Sequence, residues 1–240
     1  MLSDFRQLPK DERIIVAFDC DKARALELAD QLAGAAKWVK IGMTLYYAEG
    51  PSIIQEMKNR GFKVFLDLKF HDIPHQVRGA ARSAAATGAD MLTMHAVGGV
   101  AMMQAGHEGA LEGNPCEPVT LGITVLTSMD AETLAATGVV RPVEEQVVSL
   151  AKQAREAGLT GVVASPREAA MLREALGPEA YIVTPGVRPA GSDIGDQSRV
   201  ATPAQAFKNG ASHLVIGRPI TGAENPRAAF EAIVADLQTV

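Results

Sequence analysis

Two carboxylates and an amine cluster at the end of an apolar run, Lys63-Val-Phe-Leu-Asp67-Leu-Lys69-Phe-His71-Asp72-Ile-Pro74. Strand residues alternate faces, so Phe65, Asp67 and Lys69 point one way and Leu66, Leu68 and Phe70 the other. Packing gives such a strand no reason to carry an acid and a base, because burying either charge is costly without a partner. Asp67 and Lys69 can pair, and Asp72 adds a third charge just beyond. A fixed ammonium flanked by carboxylates can stabilise a developing anion and deliver a proton. The competing reading is a purely structural ion pair.

The elements that must hold these groups are short and regular. Apolar runs occur at Ile14–Asp19, Trp38–Gly42, Val64–Lys69, Met91–His95, Val119–Val125, Gly161–Ala164, Tyr181–Thr184 and His213–Gly217. Amphipathic stretches lie between them, among them Lys22–Leu32, Pro51–Arg60, Pro74–Thr87 and Val143–Ala157. Many open with Pro or Asp and close at Gly, which is helix punctuation. Strict alternation of strand and helix implies a parallel sheet. Eight such units point to a closed (β/α)8 TIM barrel, an α/β fold, in one domain over residues 1–240. No Gly-x-Gly-x-x-Gly follows the first run, which disfavours a dinucleotide-binding fold.

Barrel enzymes carry their sites at the C-terminal ends of the strands. In the first run Ile14, Val16 and Phe18 are the bulkier face and should meet the helices, leaving Asp19 inside at the rim. In the second, Trp38, Lys40 and Gly42 share the interior face. Asp19, Lys40, Asp67 and Lys69 can then form an alternating chain of charge. His95, at the end of the fourth run, reads as a hydrogen-bonded core histidine. The seventh run leads into Thr184-Pro185-Gly186-Val187-Arg188-Pro189, and the next helix should open near Thr202-Pro203. A connection of that length is usually a lid or a binding loop. The eighth run ends Ile216-Gly217-Arg218-Pro219. Loops after strands seven and eight form the usual phosphate site of barrels. There Gly217 lets backbone N–H groups approach and Arg218 offers a planar charged fork.

Asp67-Leu-Lys-Phe-His-Asp-Ile-Pro74 resembles the Asp-x-Lys-x-x-Asp signature of the orotidine 5'-phosphate decarboxylase family, and the resemblance runs along nearly the whole chain. It implies a cofactor-independent decarboxylation of a small nucleotide, with no metal. It implies that Lys69 protonates the pyrimidine carbon after carbon dioxide leaves, and that Asp67 sits beside the departing carboxylate. Asp19 and Lys40 would contact the ribose. Asp72 would complete the charged chain from the partner subunit of a homodimer. Ile73, Thr127 of the Leu126-Thr-Ser segment, Arg188 and Gln197 of the lid, Gly217 and Arg218 would contact the substrate. The family run normally continues Asn-Thr after Asp-Ile-Pro; here His75 and Gln76 stand there, and Gln76 can donate a hydrogen bond by a different geometry. Two rivals share the barrel. One is a magnesium-dependent sugar-phosphate decarboxylase or aldolase, and the other a non-catalytic sensor of phosphate ligands.

The bulk properties agree with a globular enzyme. The 240 residues are enough for one large core, with 47% hydrophobic and 21% charged residues. The net charge of −5 and the absence of a Lys/Arg run argue against nucleic acid as a partner. Cys20 and Cys116 are too few for a disulfide framework or a cysteine metal cluster. Met1 to Arg13 is polar and charged, unlike a signal peptide. No apolar run reaches the roughly 18 residues of a membrane span. The expected compartment is the cytoplasm.

Overall fold

A computed structural model describes residues 5–188 and 201–238. Its strands are β1 (Ile14–Phe18), β2 (Trp38–Gly42), β3 (Lys63–Phe70), β4 (Met91–His95), β5 (Val119–Ile123), β6 (Gly161–Val163), β7 (Tyr181–Thr184) and β8 (His213–Ile216). All pair in parallel in sequence order, and β8 closes back onto β1 through Val16 and Ile216. The helices are α1 (Lys22–Leu32), α2 (Met43–Glu49), α3 (Ser52–Asn59), α4 (Pro74–Ala86), α5 (Val100–Gly113), α6 (Ala131–Ala136), α7 (Val143–Glu156), α8 (Ala169–Leu176), α9 (Pro203–Lys208), α10 (Arg218–Thr221) and α11 (Pro226–Gln238). This is the expected (β/α)8 barrel.

The helix starts follow from local chemistry. Asp21 caps α1 by accepting from Arg24 N at 2.9 Å, and Thr202 caps α9 by accepting from Gln205 N at 3.2 Å. Each satisfies an N–H that the first turn leaves orphaned. Pro74 and Pro203 occupy the first helical positions, where a missing N–H costs nothing. Several strands stop short of the expected ends: β1 at Phe18, β5 at Ile123, β6 at Val163 and β8 at Ile216. The chain leaves the ladder at the rim as soon as it turns toward a helix, so Asp19 and Gly217 stand just beyond their strands.

Period-two alternation separates two cores. Ile14, Val16 and Phe18 join the layer between strands and helices, while Ile15 and Ala17 join Trp38, Phe65, Met91, Leu121, Val183 and Val215 inside the barrel. Each fully buried Ile, Leu or Phe contributes about 1.5–3 kcal/mol through area removed from water. The N-terminal floor of the barrel is aromatic. The His213 ring stacks on Tyr181 at 5.4 Å and meets the edges of Phe5 at 5.8 Å and Trp38 at 6.1 Å.

Helix α5 lies unusually close to α4. A Cβ at Gly109 would fall 2.2 Å from the Arg78 carbonyl oxygen, and one at Gly113 2.2 Å from that of Arg82. Only glycine permits this approach, which seats α4 and therefore the Asp72–Pro74 turn that opens it. Among the described residues no helix is long and apolar enough to cross a membrane, and both cysteines are free.

Candidate active site

Four charges meet at the C-terminal rim in alternating order. Lys40 Nζ donates to Asp19 Oδ1 at 2.8 Å and lies 3.8 Å from Asp67 Oδ2. Lys69 Nζ donates to the same Asp67 Oδ2 at 2.8 Å. Lys40 and Asp67 are each only 8% exposed. Burial at that depth is tolerable because each has an opposite charge in reach; removing one partner would leave the next buried and uncompensated. Lys40 and Asp67 reach the row from inside β2 and β3, and Asp19 from just beyond the end of β1.

Three features of this rim were not read from the sequence. First, Lys69 has a left-handed backbone, φ 55°, which costs a non-glycine residue about 1–2 kcal/mol. The β3–β4 pairing slips at that point, between Leu66 and Phe70. Second, the buried hydroxyl of Thr93 on β4 accepts from Lys69 N at 3.0 Å and donates to Asp67 Oδ1 at 2.9 Å. Third, Gly42 leaves room for the outer pair: a Cβ there would meet Asp19 Oδ1 and Lys40 Nζ at 3.0 Å each. No local pattern signals the slip or the hydroxyl. The signal for Gly42 was its place two residues after Lys40 on the interior face.

Two adjoining cavities open over this chain of charge. One, of about 460 Å³, is lined by Asp19, Arg24, Lys40, Arg188, Gly217 and Arg218, with Cys20 beside them. The other, of about 190 Å³, is mostly apolar, with Phe65, Ile123, Val125 and Val163 facing Asp67, Lys69 and Thr127. Lys40, Pro185 and Val215 line both. The molecule thus has a cationic lobe and an apolar lobe joined at one lysine. A third cavity of about 470 Å³ lies around the N-terminal ends of β1 and β8. Its arginines hold main-chain carbonyls: Arg13 donates to Ser212 O and Ala211 O, and Arg173 to Gly177 O and Gly210 O. That cavity reads as the barrel's base, away from the charged rim.

Arg188 is anchored at the mouth of the cationic lobe. Its side chain donates to Val187 O at 3.0 Å, and its backbone N donates to Ala201 O at 3.0 Å. Gln197 lies outside the described residues. Arg24, which the sequence reading did not single out, lines the same lobe and donates to Thr221 O at 2.9 Å, tying α1 to α10 and so to Arg218.

The chain from His71 to Gln76 is exposed. Asp72 Oδ1 accepts from Ile73 N at 2.6 Å and forms no ion pair with another described residue. Ile73 is 64% exposed, and neither Ile73 nor Gln76 lines either lobe. Within one chain, then, Asp72 is not part of the charged row. The His71 ring sits 5.4 Å from that of His95. Burial, then the neighbouring His71 and Lys69, pushes the His95 pKa down. Among the described residues no three His, Cys, Asp or Glu side chains are grouped to hold a metal ion.

The model of the Orotidine 5'-phosphate decarboxylase / HUMPS family matches residues 12–233. The chain belongs to this family. It is 52% identical to the orotidine 5'-phosphate decarboxylase of Moorella thermoacetica, across 100% of this chain and 97% of the relative. It is 49% identical to that of Alkalilimnicola ehrlichii, across 94% and 96%. The crystal structure of orotidine 5'-phosphate decarboxylase from Lactobacillus acidophilus superposes with a TM-score of 0.85 at 37% identity, covering 94% of this chain and 99% of that one.

Proposed function

We propose that this chain converts orotidine 5'-phosphate to uridine 5'-phosphate, the last step of UMP biosynthesis, without a cofactor and in the cytoplasm. The observation that carries the reading is the two-lobed cavity with Lys69 at the apolar end. A flat pyrimidine fits an apolar slot, a ribose the Asp19–Lys40 junction, and a phosphate the arginine-lined lobe. The full-length relatives named orotidine 5'-phosphate decarboxylase support the same substrate. A magnesium-dependent sugar-phosphate enzyme would have little use for the apolar slot.

In this mechanism the bond between the ring carbon and its carboxylate breaks, carbon dioxide departs, and the electron pair stays on the ring carbon. The Lys69 ammonium, held 2.8 Å from Asp67 before substrate arrives, lies where that charge develops. Its stabilisation needs no reorganisation, which is the main electrostatic gain. Lys69 then gives its proton to the carbon and is reprotonated from solvent. Asp67 faces the departing carboxylate and disfavours it before bond breaking, a smaller contribution. Arg188, Gly217 and Arg218 hold the phosphate, and Thr127 contacts the base. That remote binding energy is used to order the charges.

Asp72 completes the row in a second copy of the chain. Its exposure, next to the exposed apolar Ile73, supports a homodimer in which this turn is covered by the partner and Asp72 reaches the partner's Lys69. Ile73 and Gln76 approach substrate only in that assembly. Loss of orotidylate absorbance with purified protein, with and without a chelator, tests the reading. Turnover unaffected by the chelator is expected. Turnover that needs added magnesium would favour the sugar-phosphate rival, and no turnover at all would favour a sensor.

A further inference from the structure

We infer that Thr93 is a positioning residue for this decarboxylation: its hydroxyl sets both the side chain of Asp67 and the backbone turn that presents Lys69. The inference rests on the function proposed above. Between Leu66 and Phe70 the third strand advances four residues, while the fourth advances only two, from Leu92 to Met94. Thr93 therefore stands opposite the bulged stretch that holds Asp67 and Lys69. An amide N–H can only donate, so the bond from Lys69 N uses a lone pair of Thr93 Oγ1. The hydroxyl proton is then directed to Asp67 Oδ1 at 2.9 Å.

That polarity sorts the two oxygens of Asp67. Oδ1 is held by Thr93, and Oδ2 is left to the ammonium groups of Lys69 at 2.8 Å and Lys40 at 3.8 Å. One atom thus restrains the main chain of the acid and the side chain of its carboxylate neighbour. Thr93 is fully buried, and a β-branched side chain is stiff about χ1, so the restraint is rigid. Rotation of Asp67 or relaxation of the left-handed turn at Lys69 would each move Nζ away from the reacting carbon. Ribose and phosphate contacts on β1, β2 and β8 would be unaffected. Those are the separate signatures of positioning and of substrate binding.

Steady-state kinetics on Thr93→Val and Thr93→Ser, with thermal melting of each protein, test the inference. Thr93→Val keeps the side-chain volume and removes the hydroxyl. It is expected to lower kcat on the order of 10²-fold while KM stays within about threefold of wild type. Thr93→Ser keeps the hydroxyl and is expected to stay within about fivefold of wild type in kcat. Undiminished kcat in Thr93→Val, equal impairment of both variants, or a loss confined to KM would overturn the assignment. If Thr93→Val does not fold, Thr93→Ala assayed below its melting temperature takes its place, with the same split expected and the same results decisive against it. A wild-type protein unable to consume orotidylate would defeat the functional reading and this inference with it. An active wild type beside a fully active Thr93→Val defeats only the role of Thr93.

Discussion

Lys40 Nζ lies 3.8 Å from Asp67 Oδ2 at the junction of the cationic and apolar lobes. One ammonium therefore borders both the arginine-lined end and the end that holds Lys69. Its nearer partner is Asp19, at 2.8 Å, so the row runs acid, base, acid, base along the floor of the site. Asp67, between the two lysines, is itself held by the Thr93 hydroxyl at 2.9 Å, which fixes the centre of the row.

Lys69→Ala should abolish decarboxylation, by on the order of 10⁴-fold or more, because both the proposed proton donor and its fixed positive charge are lost. Nucleotide binding should survive, since Arg188 and Arg218 line the other lobe. Turnover by absorbance and UMP affinity by calorimetry check this together. A loss of only a few-fold in turnover would remove Lys69 from the acid role.

Arg218→Ala should weaken phosphate-bearing ligands on the order of 10²-fold and leave the free nucleoside nearly unchanged, because a charged fork on a phosphate is a strong and local contact. Inhibition constants for UMP and uridine give the comparison. Equal weakening of both would make Arg218 a structural residue that holds the start of α10.

Lys69→Ala and Asp72→Ala chains should each be nearly inactive alone, yet regain about a quarter of wild-type activity after unfolding and refolding in equal mixture. Half of randomly paired dimers are mixed, and in each of those one site carries both lesions while the other carries none. Absence of recovery, with heterodimers verified by native mass, would place Asp72 in its own chain's site or in none.

His213 should make the fold acid-sensitive. It is 2% exposed, and burial, with Arg13 and Lys63 nearby, pushes its pKa from 6.5 down to about 3. Tyr181, stacked on the ring, brings no negative charge at these pH values. Above pH 6.5 neither state binds this proton and the stability is fully present. As pH falls from 6.5 toward 3, the unfolded chain takes up the proton and the folded chain does not, so stability is lost. The loss from this group should reach about 2 kcal/mol by pH 5. Denaturant titrations of wild type and His213→Asn across that range measure it; parallel pH profiles for the two proteins would exclude His213 as the cause.

Much of this molecule is legible in local order. The alternation of Ile15, Ala17 and Asp19 against Ile14, Val16 and Phe18 assigns the faces of β1, and the same period puts Lys40, Asp67 and Lys69 inward. Caps and breakers such as Asp21, Pro74 and Thr202 mark helix starts to within a residue, because they satisfy or withhold hydrogen bonds within a single turn. The resemblance carried by Asp67-Leu-Lys-Phe-His-Asp72 extends the reading to family and chemistry. Other relations were decided only when the barrel closed. Thr93 reaches Asp67 and Lys69 because the β3–β4 register slips at the rim, and that slip, with the left-handed turn at Lys69, is a product of strand pairing. Gly42 matters because the Asp19–Lys40 pair lies over it, and Gly109 because the Arg78 carbonyl does. The join between the cationic and apolar lobes at Lys40 arises from β1, β2, β3, β7 and β8 meeting at one rim. Short-range patterns record which way a side chain points; the distance between two such side chains is set by register and closure, which no single segment contains.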